Sequence, residues 1–142
     1  MEKIVIRAVD RPAYKNPDEF IRWLCEALGL SNPNEKGSIE AEILKRFIVA
    51  AASNTGISSS QIALEPKVAR STVIYHLNRF IDSGLLVKKG RLYYLRAQEL
   101  STAIEEIEYD INREMMRILD AAREFDRAFD IQQSKGKKVK IN

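Results

Sequence analysis

The sequence predicts a mainly helical α+β domain with a small β-hairpin and a long C-terminal helix, and three observations carry that expectation. An amphipathic run from Arg70 to Ser83 is followed at once by Gly84. Two short β-prone runs come next, Leu85-Leu86-Val87-Lys88 and Arg91-Leu92-Tyr93-Tyr94-Leu95, joined by Lys89-Gly90. After Leu95 apolar residues recur every seven positions, at Ile104, Ile111, Ile118 and Phe125.

At 142 residues with 45% hydrophobic side chains, the chain can bury a real core. No apolar run approaches the roughly 18 residues needed to span a membrane. Residues 1–10 lack the apolar centre and small-residue cleavage site of a secretory signal, so a cytoplasmic location is expected. The single cysteine, Cys25, excludes an internal disulfide, and with the lone His76 it falls short of a conventional zinc set. Neither a metal nor another cofactor is expected.

In chain order, Ile4, Ile6 and Ala8 alternate with Val5, Arg7 and Val9, which predicts a short strand lying against the hairpin. Asn16-Pro17-Asp18-Glu19 is a helix start: a capping amide, a proline in the first turn and acids near the positive end of the dipole. That helix should run to about Leu28, with Phe20, Ile21, Trp23, Leu24, Ala27 and Leu28 giving it a broad apolar surface and Gly29 ending it. Cys25 on this helix reads as a small buried hydrophobe. Residues 1–30 thus form an N-terminal extension, divided from the next helix by the polar stretch Ser31–Gly37.

A helix begins at Ser38, with Ile39, Ile43, Leu44, Phe47, Ile48 and Ala51 at helical spacing, and Asn54-Thr55-Gly56 stops it. Ser58 or Ser59 caps the next helix, which Pro66 ends early. On the helix after that, Val73, Leu77, Phe80 and Ile81 form the apolar stripe. Ser71, Tyr75, Asn78 and Asp82 fall opposite, with Thr72, Ile74 and Arg79 at the edges. Hydroxyls, a phenol, an amide and guanidinium groups are the donor and acceptor types that meet base edges and phosphates in a DNA major groove. His76 reads as a boundary residue, packing partly on the core and within reach of a phosphate. Lys88, Lys89 and Arg91 cluster at the hairpin tip.

Ile62-Ala63, a short turn, Val68-Ala69-Arg70-Ser71-Thr72-Val73, Tyr75-His76-Leu77 and the closing Asp82-Ser83-Gly84-Leu85-Leu86 together resemble the winged helix-turn-helix regulators of the ArsR/MarR-like type, most of all archaeal members. The resemblance covers about residues 40–96, within an expected domain of residues 38–96, and is strongest from Arg70 to Leu86. It implies a DNA-binding domain in which the second helix of the turn motif is the recognition helix and the hairpin is the wing. Carried onto this chain, it implies base and phosphate contacts by Arg70, Ser71, Thr72, Ile74, Tyr75, Asn78 and Arg79, and backbone contacts by Lys88, Lys89 and Arg91. Two positions depart from the usual pattern, Lys67 where the turn often has glycine and Ala69 where the recognition helix often starts from serine. The paired-cysteine signature of the metal-sensing members is absent.

Charge shows the same division. Residues 66–97 carry seven Lys/Arg against one Asp/Glu, whereas residues 98–130 carry four against ten, and the tail adds four lysines. Cations concentrated on the expected recognition helix and wing suit phosphate neutralisation with counterion release. From Gln98 to Ile131 a long helix is expected, about 50 Å at 1.5 Å per residue. Its heptad positions Ile104, Ile107, Ile111, Met115, Ile118, Ala122, Phe125 and Phe129 predict pairing with a second copy in a homodimer. The basic tail, 132–142, is too short and charged to fold alone.

The expected function is therefore sequence-specific binding of double-stranded DNA by a homodimeric transcriptional regulator. A contact with the transcription machinery stays open. The alternative is a winged-helix protein-interaction module in a transcription or ribosome-associated assembly, since fold alone does not fix function. No nucleophile with a base, phosphate loop or metal set is recognisable, so the chain is not expected to be an enzyme.

Overall fold

The computed structural model of the chain describes residues 3–11, 16–31, 39–64 and 68–129. The expectations for the connector beyond Ser31, the helix start at Ser38, the Pro66 break, Lys67 and the basic tail lie outside these residues. The chain divides into two units after Ile107. The described residues are mainly helical, with a small antiparallel sheet.

Helix α1 spans Pro17–Ala27, and its start is the one the sequence announces: the Asn16 side chain accepts from the Asp18 amide at 2.9 Å, with Pro17 in the first turn. Helix α2, Ile39–Ala51, turns Ala41, Ile43, Leu44, Phe47 and Ala51 inward. A two-residue strand β1, Ile57–Ser58, leads into α3, Ser59–Leu64. Ser58 and Gln61 exchange bonds there: the Ser58 hydroxyl accepts from the Gln61 amide at 3.2 Å, and the Gln61 side chain accepts from the Ser58 amide at 2.8 Å. This is a capping box, and it fixes where a six-residue helix begins.

Helix α4 spans Arg70–Ser83. Ala69 at its N-cap makes no side-chain bond, and Gly84 closes the other end in the left-handed conformation at φ 88°. The apolar side chains of α4, Val73, Leu77 and Phe80, are buried in the core of the first unit, as are Ile43, Leu44, Phe47, Ile62 and Leu85, all at most 1% exposed. Burying each of the larger ones contributes about 1.5–3 kcal/mol. Strands β2, Leu86–Lys89, and β3, Leu92–Leu95, form the hairpin, and β3 is central in the order β1-β3-β2. Helix α5, Leu100–Ala128, starts in the first unit and continues into the second.

Three expectations need correction. Residues 3–11 are extended but join no strand: the Arg7 amide bonds to the Ala27 carbonyl at 2.7 Å and the Lys3 amide to the Asp82 carbonyl at 3.2 Å. The strand beside β3 is β1 instead. The hairpin loop is Gly90-Arg91, one residue later than Lys89-Gly90, because Lys89 pairs with Leu92. Glycine first in the loop, at φ 63°, is the type II′ arrangement. His76 is buried, at 8% exposure, and faces Glu40 rather than solvent.

Candidate nucleic-acid interface

An open groove of about 890 Å³ lies between α4, the start of α3 and the β2–β3 hairpin. Arg70, Ile74 and Asn78 form the α4 wall, Ser58–Gln61 the α3 wall, and Lys88 and Arg91 are among the hairpin residues. Among the described residues, three cations and no carboxylate line it. The apolar stripe of α4 is held in the core, so helical geometry leaves the Arg70, Ile74 and Asn78 edge free to face the groove.

Arg70 is oriented by its surroundings. Its Nε donates to the Ser59 hydroxyl at 3.3 Å, and Ser59 is itself buried, so one edge of the guanidinium is tied to α3. The fork can present its remaining N–H groups to an acceptor, which suits bidentate contact with phosphate or a guanine edge. Ser60, Gln61, Ser71 and Asn78 are exposed around it, while Thr72 and Ile74 are half-buried. Tyr75, 59% exposed, stands on the outer side of α4.

The hairpin presents two faces. Lys88 reaches over the Tyr93 ring, 5.4 Å from its centroid, and both residues line the groove. Lys89 instead lies over Tyr94 at 5.5 Å, and neither of these lines it. Alternation along a strand separates the two lysines. Of the three hairpin cations, the structure thus brings Lys88 and Arg91 to the groove beside α4 and turns Lys89 to the other side.

Arg79 is placed differently from its neighbours. Its Nη1 donates to the Leu30 carbonyl at 2.9 Å and its Nη2 to the Gly29 carbonyl at 2.7 Å, so the guanidinium caps the chain leaving α1. It holds the N-terminal extension to α4 and is not free for a base edge. Sequence reasoning missed this, as it missed the serine wall of the groove. A signal for the wall was present in Ser58-Ser59-Ser60-Gln61, a hydroxyl run at a helix start. No local signal foretold a bond between residues some 50 positions apart.

Cys25 is fully buried, and its thiol is pushed up to about 12, first by burial and then by the Glu40 carboxylate. It is an inert packing residue in this setting.

The expected pairing residues divide along α5. Ile107 is buried against the Gly84 turn of its own chain, which removes it from any pairing surface. Ile104 and Ile111 are half-buried. In the second unit Met115, Ile118, Ala122, Phe125 and Phe129 are all exposed, and the Phe125 and Phe129 rings meet at 4.6 Å. Charges beside them pair along the helix, Glu114 with Arg117 at 3.1 Å and Asp120 with Arg123 at 3.9 Å.

No helix among the described residues is long and apolar enough to cross a membrane. Comparison of the chain with protein-family models, with curated proteins and with solved structures gave no match.

Proposed function

We propose that the chain is a winged helix-turn-helix protein of the ArsR/MarR-like type that binds double-stranded DNA as a homodimer and regulates transcription in the cytoplasm. In this reading α4 enters the major groove and the β2–β3 hairpin is the wing on the phosphate backbone. The observation that carries it is the groove beside α4, with Arg70, Lys88 and Arg91 directed to one space and no carboxylate among the described residues that line it. A duplex backbone is the polyanion that such a surface fits, and the exposed Ser71, Tyr75 and Asn78 supply donors and acceptors for base edges. Arg70 and Asn78 carry most of the reading, and Arg79 acts as a positioning residue.

Homodimerisation is supported by the apolar side chains that the second unit leaves exposed along α5. Met115, Ile118, Ala122, Phe125 and Phe129 alternate at spacings of three and four, the period of a helix that packs on another. A second copy offers the same stripe.

Titration of labelled genome-derived DNA fragments with the purified chain, at low and moderate salt, tests both parts. Saturable binding of two chains to a subset of fragments, persisting as salt rises, supports a sequence-specific dimeric regulator. Salt-sensitive binding without preference reduces the role to general DNA association. No binding at low salt overturns the reading and favours a protein-interaction module.

A further inference from the structure

The extended N-terminal segment, residues 3–11, is anchored by its backbone and leaves the Lys3 and Arg7 side chains exposed. The Lys3 and Arg7 amides bond to the Asp82 and Ala27 carbonyls, and the Val9 carbonyl accepts from the Trp23 indole at 3.0 Å. Val5 packs so closely on Gly29 that a Cβ there would lie 2.8 Å from it. The side chains of Lys3 and Arg7 are exposed, and neither forms an ion pair among the described residues. A fixed backbone carrying free cations loses little conformational freedom when they meet an anion.

The position of this segment sets Lys3 beside α4, and Arg7 follows at the same parity along the extended backbone. Lys3 lines a cavity of about 310 Å³ together with Tyr75, Arg79 and Asp82 of α4. Arg70, Ile74 and Asn78 line the groove that the hairpin closes. At about 100° per residue the two sets lie roughly 110° apart around α4, on either side of the outward strip through Ser71. The hairpin therefore borders one flank of the outward face, and the N-terminal segment borders the other. A helix lying in a major groove has a phosphate backbone on each side.

We propose that residues 3–11 are a second phosphate-contacting flank, with Lys3 and Arg7 meeting the DNA strand across the groove from the one that Lys88 and Arg91 meet. The inference rests on the reading of α4 as the DNA-contacting helix. Asp82 lines the same cavity as Lys3, and Lys3 offsets the repulsion its carboxylate would exert on a phosphate. The arrangement also gives the N-terminal extension a role: α1 and the Arg79 bonds set the segment beside α4.

The test compares the full chain with the Lys3→Gln/Arg7→Gln variant by fluorescence anisotropy on one bound fragment across a salt series. Both substitutions keep the backbone bonds, and a thermal melt matching the parent checks the fold. Each phosphate contact contributes roughly 0.9 to the slope of log affinity against log salt, so the variant should be shallower by up to about 1.8. Lys3→Arg/Arg7→Lys, which preserves both charges, should restore the parent slope. A folded glutamine variant with the parent slope and affinity overturns the second flank and leaves the reading of α4 intact. Failure of the parent chain to bind any duplex overturns both.

Discussion

The Nδ1 atom of His76 lies 3.4 Å from Oε1 of Glu40, with both residues only 8% exposed. The two meet without hydrogen-bond geometry, and the contact ties the middle of α4 to the first turn of α2. A polar side chain taken out of water in this way becomes costlier still when its polar neighbour is removed. Replacing one strands the other. His76→Leu alone is expected to cost at least about 1–3 kcal/mol of stability, because the Glu40 carboxyl is left buried without its partner. The double variant His76→Leu/Glu40→Met should recover much of that loss, and urea midpoints of the four proteins in a double-mutant cycle measure it. Equal losses that simply add would mean that the two side chains are not coupled.

The two faces of the hairpin give a contrast within a single pair of neighbours. Lys88→Ala and Arg91→Ala each remove a cation from the groove beside α4, and each should weaken binding to all duplex sequences alike. The salt slope should fall by roughly 0.9 per lost phosphate contact. Lys89→Ala removes a cation of the opposite face and should change the slope least. Anisotropy titrations over a salt series on specific and random duplex read the difference. A Lys89 effect as large as that of Lys88 would place the DNA on the other side of the hairpin.

Much of the helical framework was legible because its signals are local. Asn16-Pro17 announces α1, Gly84 ends α4, and the stripe Val73, Leu77 and Phe80 identifies the buried face of α4. What was not legible depended on partners. The alternation in Ile4–Val9 correctly reports an extended backbone, but its bonds go to carbonyls of helix termini, which no period can reveal. Strand β1 has two residues, too few to show any alternation. Ile107 fits the heptad as well as Ile118 does, yet it is buried, and its side chain lies close to Gly84. Of the residues the sequence singles out for the candidate site, Arg70, Asn78, Lys88 and Arg91 line one groove, whereas Arg79 bonds to carbonyls far away in the chain, a placement no local pattern reports.

Cys25 predicts an alkaline limb in the stability of the fold. Its thiol is raised from an ordinary 9.0 to about 12, so the folded chain keeps a proton that the unfolded chain gives up. Below pH 9 the two states bind this proton alike and the contribution is fully present. Between pH 9 and about 12 the unfolded state is favoured increasingly, and stability falls by up to about 1.4 kcal/mol per pH unit. Cys25→Ala removes this dependence, at the cost of a smaller side chain in the core. The difference between the two proteins' urea midpoints, tracked from neutral pH upward, should narrow. A constant difference across that range would show that the thiol does not titrate in the unfolded chain alone.

Gly56 tests whether the sheet holds the hairpin in place. A Cβ at this position would lie 2.6 Å from Cζ of Tyr94 and 2.8 Å from Cβ of Leu92. The tyrosine ring can swing aside, but a Cβ moves only with its backbone, so an alanine must displace β3. Ile57 of β1 pairs with Tyr93 of β3, and the same displacement strains that pairing. Gly56→Ala should therefore destabilise the chain by about 1–3 kcal/mol. It should also weaken DNA binding beyond what the unfolded fraction explains, because Lys88 and Arg91 are carried by the strands that move. Anisotropy at a temperature where the variant remains folded separates the two effects. Parent affinity in the folded variant would mean that the hairpin keeps its place without close contact to Gly56.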